Sequence, residues 1–209
     1  MDYLTLLANP RSVSDTEAAQ VFDGVMLSDG GMTVHGMGSY YFQLRQAGLN
    51  HRDWLVLVKF SMCALGVYCR GPNQYIQSGD YITLVIDSSS SDGFLATQYQ
   101  RWYPNKHKKV PADLRLAPVS LANWYMGDGY RRNNHGYPYA CFCTDGFARD
   151  ELDPLVVQIR DLGFDHVSVH HHYNNYWRVV ITSRDFLKFV KMVRPLTVPS
   201  FYYKIQEVL

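Results

Sequence analysis

The chain has 209 residues, of which 47% are hydrophobic, 14% aromatic and 19% charged, enough to bury a sizeable core. Lys and Arg number 20 against 19 Asp and Glu, for a formal net charge of +1. These values exclude a disordered tail, a collagen-like chain and a disulfide mini-protein, and no apolar run reaches the ~18 residues of a membrane span.

The predicted elements repeat in two rounds. Ser14 and Glu17 have capping-box spacing. Ala18, Ala19, Val21, Phe22, Val25 and Met26 follow at helical spacing, and Gly30-Gly31 stops the helix. Residues 34–44 alternate as a strand around Gly36 and Gly38, 51–65 form an apolar helix, and 67–69 and 81–87 are strands. Ser88–Ser91 caps a helix over 92–103, which Pro104 ends. The second round opens with Pro118 and Ser120 heading a helix that ends at Gly129, and a basic turn follows. Then come a strand over 139–144, a helix over 149–162, a hairpin of 167–172 and 177–182 around Asn174-Asn175, and a helix over 184–193.

Charge is unevenly distributed. From Gly30 to Gly79, Asp53 is the sole acid against Arg45, Arg52, Lys59 and Arg70. Arg101–Arg132 holds seven basic residues and two acids, and His166–Arg184 holds no acid. A neutral chain can therefore present one basic face, which is what a polyanion senses. The first thirty residues carry five acids and one Arg without an apolar centre, so no signal or transit peptide is expected. Cys63, Cys69, Cys141 and Cys143 lack CxxC spacing and are expected as reduced thiols of an intracellular protein. Cys141 and Cys143 share one strand face as small buried residues, and His170-His171-His172 lacks the spacing of a zinc finger. Gly36-Met37-Gly38 is not a nucleotide loop, because no strand-to-helix transition follows it.

Both rounds open on one signature: Phe22-Asp23-Gly24-Val25-Met26-Leu27-Ser28-Asp29-Gly30 and Leu121-Ala122-Asn123-Trp124-Tyr125-Met126-Gly127-Asp128-Gly129. Each is an apolar helix ending in a small residue, Asp and Gly. The Gly serves as a helix stop, but a carboxylate at a helix C-terminus opposes the macrodipole by roughly 0.3–1 kcal/mol. Its recurrence points to a cation at both ends, and a hard divalent ion with oxygen ligands suits it.

With these motifs, the sequence resembles the LAGLIDADG homing endonucleases in their double-motif, monomeric form. LANWYMGDG is similar to the aromatic-rich variant of mitochondrial intron members. Trp102-Tyr103-Pro104, Lys108-Lys109-Val110-Pro111 and Val198-Pro199-Ser200-Phe201-Tyr202-Tyr203-Lys204 follow that subfamily's layout, and the likeness covers roughly residues 15–206. Asn123 replaces a small residue at a helix contact and Asp23 an Ala, departures that bear on helix packing.

The resemblance implies an α+β fold, a pseudo-twofold tandem repeat of αββαββα units with halves at 14–112 and 113–209. Two curved antiparallel sheets would form a DNA-binding saddle with the motif helices at its centre. It implies a Mg²⁺-dependent endonuclease (Mn²⁺ substituting) that cuts both strands of a long pseudo-palindromic duplex. The alternative is a non-cleaving intron-RNA maturase or DNA-binding protein on the same scaffold, with intron RNA as a partner. Asp29 and Asp128 would hold metal, helped by the carbonyls of Ser28 and Gly127. Lys109, with Lys108 as rival, and Lys204 would steady solvent or phosphate. Gln46 would hold a water, with Asp145 at the matching place. Base readout is expected from Tyr41, Gln43, Arg45, Arg70, Gln74, Gln77, Arg131, Arg132, Asn133, Asn134, His170, His172 and Arg178. An intron-borne gene, mitochondrial or of another organelle, and a monomer without a membrane partner complete the expectation.

Overall fold

A computed structural model describes residues 14–36, 38–77, 81–88, 93–173 and 176–206, with the side chains of Gln77 and Tyr81 left aside. The elements in order are α1 (Asp15–Met26), β1 (Gly30–His35), β2 (Ser39–Ala47), α2 (Arg52–Ala64), β3 (Cys69–Gln77), β4 (Tyr81–Ser88), α3 (Phe94–Trp102), α4 (Pro118–Asp128), β5 (Gly129–Asn134), β6 (Tyr137–Cys143), α5 (Arg149–Asp161), β7 (Val167–His171), β8 (Trp177–Ile181) and α6 (Ser183–Val193). Short 3-10 helices follow at Arg194–Leu196 and Pro199–Lys204. No helix among the described residues is long and apolar enough to cross a membrane.

Two four-stranded antiparallel sheets have the same order, β1-β2-β4-β3 and β5-β6-β8-β7. Each round is thus helix, hairpin, helix, hairpin, helix, as the α+β repeat requires. Strand alternation sets the inner faces: Phe42, Leu44, Leu84 and Ile86 of the first sheet and Ala140, Phe142, Val179 and Ile181 of the second are fully buried. They join the helices in one continuous core. The last helix shows the pattern plainly, with Phe186, Phe189, Val190 and Val193 forming its buried stripe.

Three sequence expectations are corrected. The single strand over 34–44 is a hairpin, because Gly36 and Gly38 take positive φ and turn the chain between β1 and β2. The strand expected at 67–69 runs on as β3 to Gln77, past an irregularity between Arg70 and Asn73. The basic turn after Gly129 is strand β5, which starts directly at the helix end and pairs with β6. Ser89–Ser91 and Asn174-Asn175 lie outside the described residues, while the Ser14–Glu17 capping box is present, with both reciprocal bonds.

Helices α1 and α4 lie side by side in the same sense, and glycine sets their approach. A Cβ on Gly24 would stand 2.3 Å from the Ser120 carbonyl oxygen and 2.8 Å from Asn123 Cβ. One turn on, a Cβ on Gly127 would stand 2.3 Å from Ser28 Oγ. Counting back from each Asp, Gly24 and Asn123 are equivalent positions, as are Ser28 and Gly127. At each level a glycine in one motif faces a larger residue in the other, so an asymmetric pair fills the space two small residues would.

The two departures from the motif have partners. Buried Asn123 accepts from Trp54 Nε1 at 2.9 Å and donates to the Val119 carbonyl at 2.9 Å, which removes the cost of an unpaired amide. Asp23, largely buried, receives both Arg101 Nη atoms, at 2.5 and 3.2 Å.

Candidate active site

The paired helices end together, so Asp29 and Asp128 open into one site from the turn after α1 and the last residue of α4. Burial is the largest cause raising both carboxylic acids. Asp128 is pushed up to about 7 from 3.8, with the neighbouring Asp29 charge the next cause. Asp29 is also raised, while the Gln46 bond, Lys204 and Lys108 work against its burial. Gln46 is on the inner face of β2 and donates from Nε2 to Asp29 Oδ2 at 2.6 Å.

Two lysines enter, one from the segment after α3 and one from the 3-10 turn Pro199–Lys204 after α6. Lys108 Nζ donates to the carbonyls of Ser28 at 3.1 Å and Gly30 at 2.7 Å. Lys204 Nζ donates to the carbonyls of Met126 at 2.6 Å and Gly127 at 3.1 Å. The Lys204 ammonium thus sits on orphan carbonyls at the end of α4, where a cation complements the dipole, and Lys108 sits on carbonyls of the turn that leads from α1 into β1. Burial lowers both lysines to about 8, and the charges of Asp29 and Asp128 hold that fall in check.

The sequence expectation of Lys109 is corrected: its side chain is exposed, and its backbone N–H bonds the Trp102 carbonyl at 2.8 Å. In this extended segment neighbours point apart, so only Lys108 can face the helix ends. Asp145 is not the counterpart of Gln46. It pairs with Arg178, whose Nη2 donates to its Oδ2 at 3.0 Å.

The donor set fits a hard divalent cation. Two desolvated, mutually repelling carboxylates and the helix-end carbonyls of Ser28 and Gly127 offer only oxygen. The described residues contain no group of three or more His, Cys, Asp or Glu placed so as to hold a metal ion. A site with so few protein ligands suits an ion that keeps several waters. Ser28 and Gly127 carbonyls accept from lysine here, each with a second lone pair to spare.

The sheet faces turned away from the core are sorted by register. On the first sheet, Tyr41, Gln43 and Arg45 of β2, Arg70, Asn73 and Tyr75 of β3 and Thr83, Val85 and Asp87 of β4 share the outer face. On the second, Tyr130, Arg132 and Asn134 of β5 lie with Tyr139, Cys141, His170, Arg178 and Val180, and His172 joins them in lining a concavity of about 480 Å³.

Three expected readers fall on the opposite face. Gln74 pairs with buried Leu84, Arg131 with buried Ala140, and Asn133 with Pro138 on that same side. Arg131 donates instead to the Gln206 carbonyl. Asn73 and Tyr75 were missed because the irregularity after Arg70 shifts the parity of β3. Gln77 falls on a side chain outside the described residues. Charge on this face is partly neutralised within it, as Arg70 pairs with Asp87 and Arg178 with Asp145.

Comparison with known proteins follows the same lines. Residues 19–189 match the LAGLIDADG DNA endonuclease family. An uncharacterized protein of Methanocaldococcus jannaschii is 31% identical over 190 residues, 88% of this chain and 71% of its own. The cytochrome b mRNA maturase bI2 of Debaryomyces hansenii is 25% identical over 204 residues, 91% of this chain and 74% of its own. Among solved structures, the homing endonuclease I-WcaI bound to its DNA recognition sequence superposes with a TM-score of 0.77 at 18% identity, covering 95% of this chain and 90% of that one. A variant of I-DmoI, solved in complex with its target DNA in the presence of Mg, gives 0.58 at 16% identity, covering 86% and 97%. These structures share the fold of two motif helices between two four-stranded sheets. The chain belongs to the LAGLIDADG DNA endonuclease family.

Proposed function

We propose that the chain is a site-specific DNA endonuclease that makes a metal-dependent double-strand break in a long pseudo-palindromic target, acting as a monomer. The observation that carries this reading is one shared, solvent-open site that receives a carboxylate from each of two motif helices, with a half-buried lysine ammonium beside each of them. A bound Mg²⁺ (or Mn²⁺) would supply Lewis acidity, lowering the pKa of an attacking water and neutralising charge on the leaving oxygen. Asp29 and Asp128, one from each motif helix, would hold it. Lys108 and Lys204 orient solvent and phosphate on their respective sides, and Gln46 fixes the rotamer of Asp29 through its 2.6 Å bond. The outer sheet faces offer arginine, glutamine, asparagine, tyrosine and histidine for the major groove, where Arg and Gln discriminate guanine and adenine.

The likeness to a maturase supports a second reading, an intron-RNA binder on the same scaffold, and an intron-borne gene as its setting. The two acids favour the enzyme, because folding around RNA alone gives no reason to keep two repelling carboxylates side by side at the paired helix ends. Incubation with a randomised duplex library in Mg²⁺, followed by sequencing of cut ends, separates the two. Ends sharing one long motif, absent when Ca²⁺ replaces Mg²⁺, are expected. A folded protein that enriches no ends and binds intron RNA overturns the nuclease reading.

A further inference from the structure

The second helix of each half begins with an acid that grips the other half. On α2, Asp53 Oδ1 accepts from its own helix at Trp54 N–H, 2.8 Å, and from Ser200 Oγ at 2.6 Å. Its Oδ2 accepts from Ser200 N–H at 3.0 Å. On α5, Glu151 Oε2 accepts from Ala148 N–H at 2.7 Å, while Oε1 accepts from Val110 N–H at 2.9 Å. In both cases part of the carboxylate caps its own helix and the remainder reaches across the pseudo-twofold axis. What it holds is the segment carrying the other half's lysine: Ser200 is the second residue of the 3-10 turn that ends at Lys204, and Val110 is two residues after Lys108. His51, just before α2, adds a face-to-face contact with Phe201, centroids 3.9 Å apart at 5°.

We infer that Asp53 and Glu151 are positioning residues, a pair of reciprocal latches by which each half seats the active-site lysine of the other, Asp53 acting on Lys204 and Glu151 on Lys108. Neither acid touches the Asp29–Asp128 site. Each acts through a backbone segment, and each serves one lysine. The consequence is a division of labour between strands. Loosening one latch displaces one ammonium and slows cutting on one strand, while the other strand is cut at its usual rate. The inference rests on the nuclease reading for that consequence, but the latches themselves are a property of the metal-free protein.

The test uses the whole chain as Asp53→Asn, Ser200→Ala and Glu151→Gln, each shown folded by its thermal melt. In metal-free protein, amine labelling followed by mass spectrometry reads the burial of each lysine separately. Asp53→Asn and Ser200→Ala are expected to raise labelling of Lys204 several-fold and leave Lys108 protected, with Glu151→Gln doing the reverse. On a cleaved plasmid, each variant accumulates nicked circles, with the nicks on opposite strands for the two latches. A ten- to hundredfold slower second cut is expected, roughly what a displacement of about an ångström costs. Labelling unchanged, or raised equally at both lysines, overturns the inference, and so does a wild type that cuts while the variants cut both strands in step. A wild type that cuts nothing while labelling still separates the lysines refutes the nuclease reading and leaves the latches standing.

Discussion

At the scale of single residues, the site is costly to fold with both carboxylates charged. Asp128 titrates near 7 in the folded chain against an ordinary 3.8, so its neutral form is tolerated and its charged form is not. That sign fixes a pH window: stability tied to this group is intact below about pH 4 and is lost as pH rises through about 7. Lys108 and Lys204, lowered only to about 8, stay charged across that interval and leave the trend intact. Asp128→Asn should therefore stabilise the metal-free protein at pH 7.5 by on the order of 2 kcal/mol, a rise of roughly 5 °C in Tm, with the gain vanishing near pH 4. Parallel melts of the two proteins at both pH values check this, and a variant less stable than wild type at pH 7.5 refutes it.

The lysines give a sharper residue-scale contrast. Lys108→Met is expected to slow cleavage by roughly a hundredfold or more, as loss of an oriented charge at a reacting phosphate does, and Lys109→Met by less than about threefold. Single-turnover rates on the cleaved duplex decide it, and equal losses would remove Lys108 from the site. The sequence identified Asp29 and Asp128 because the same locally unfavourable choice occurs twice in an apolar helix frame. It could not separate Lys108 from Lys109. Adjacent residues of an extended segment differ only in the face they present, and that face is set by bonds to the nearby Trp102 carbonyl and to Glu151, 41 residues beyond Val110.

At the scale of elements, the closeness of α1 and α4 is what brings the acids into one site. Gly24→Ala would gain up to about 1 kcal/mol in helix propensity. It would also force a Cβ to 2.3 Å from the Ser120 carbonyl oxygen, and backbone cannot step aside. Overpacking costs typically about 1–3 kcal/mol, so the clash wins and Tm should fall by roughly 2–6 °C. An unchanged melt would mean that the helices are spaced more widely than described.

Helices with an apolar stripe or a cap were legible in the sequence, as α1 and α6 illustrate. Strands were less so. Val34 and the tyrosines that follow alternate straight through the turn at Gly36 and Gly38. Arg131, Arg132, Asn133 and Asn134 have no apolar alternation at all and become a strand only by pairing with β6. The same weakness misplaced Gln74, Arg131 and Asn133, since one position of parity exchanges the faces of a strand.

At the scale of the whole molecule, a net charge of +1 has to be reconciled with the proposed binding of a polyanion. Two arginines of the outer sheet faces are already paired with acids, Arg70 with Asp87 and Arg178 with Asp145. Those two faces therefore offer few unpaired cations to phosphate. The dependence of DNA affinity on salt should be moderate, a log–log slope of roughly −3 to −5 set by about three to five phosphate contacts. A slope near zero would contradict nucleic-acid binding altogether.

The central claim is that Asp29 and Asp128 form one shared metal site rather than two independent ones. The most direct measurement is the cutting rate of each strand of the recovered duplex in Mg²⁺ by Asp29→Asn and Asp128→Asn, taken separately. The account predicts that either substitution abolishes cutting of both strands while DNA affinity in Ca²⁺-free buffer is retained. A variant that still cuts one strand at the wild-type rate would contradict it.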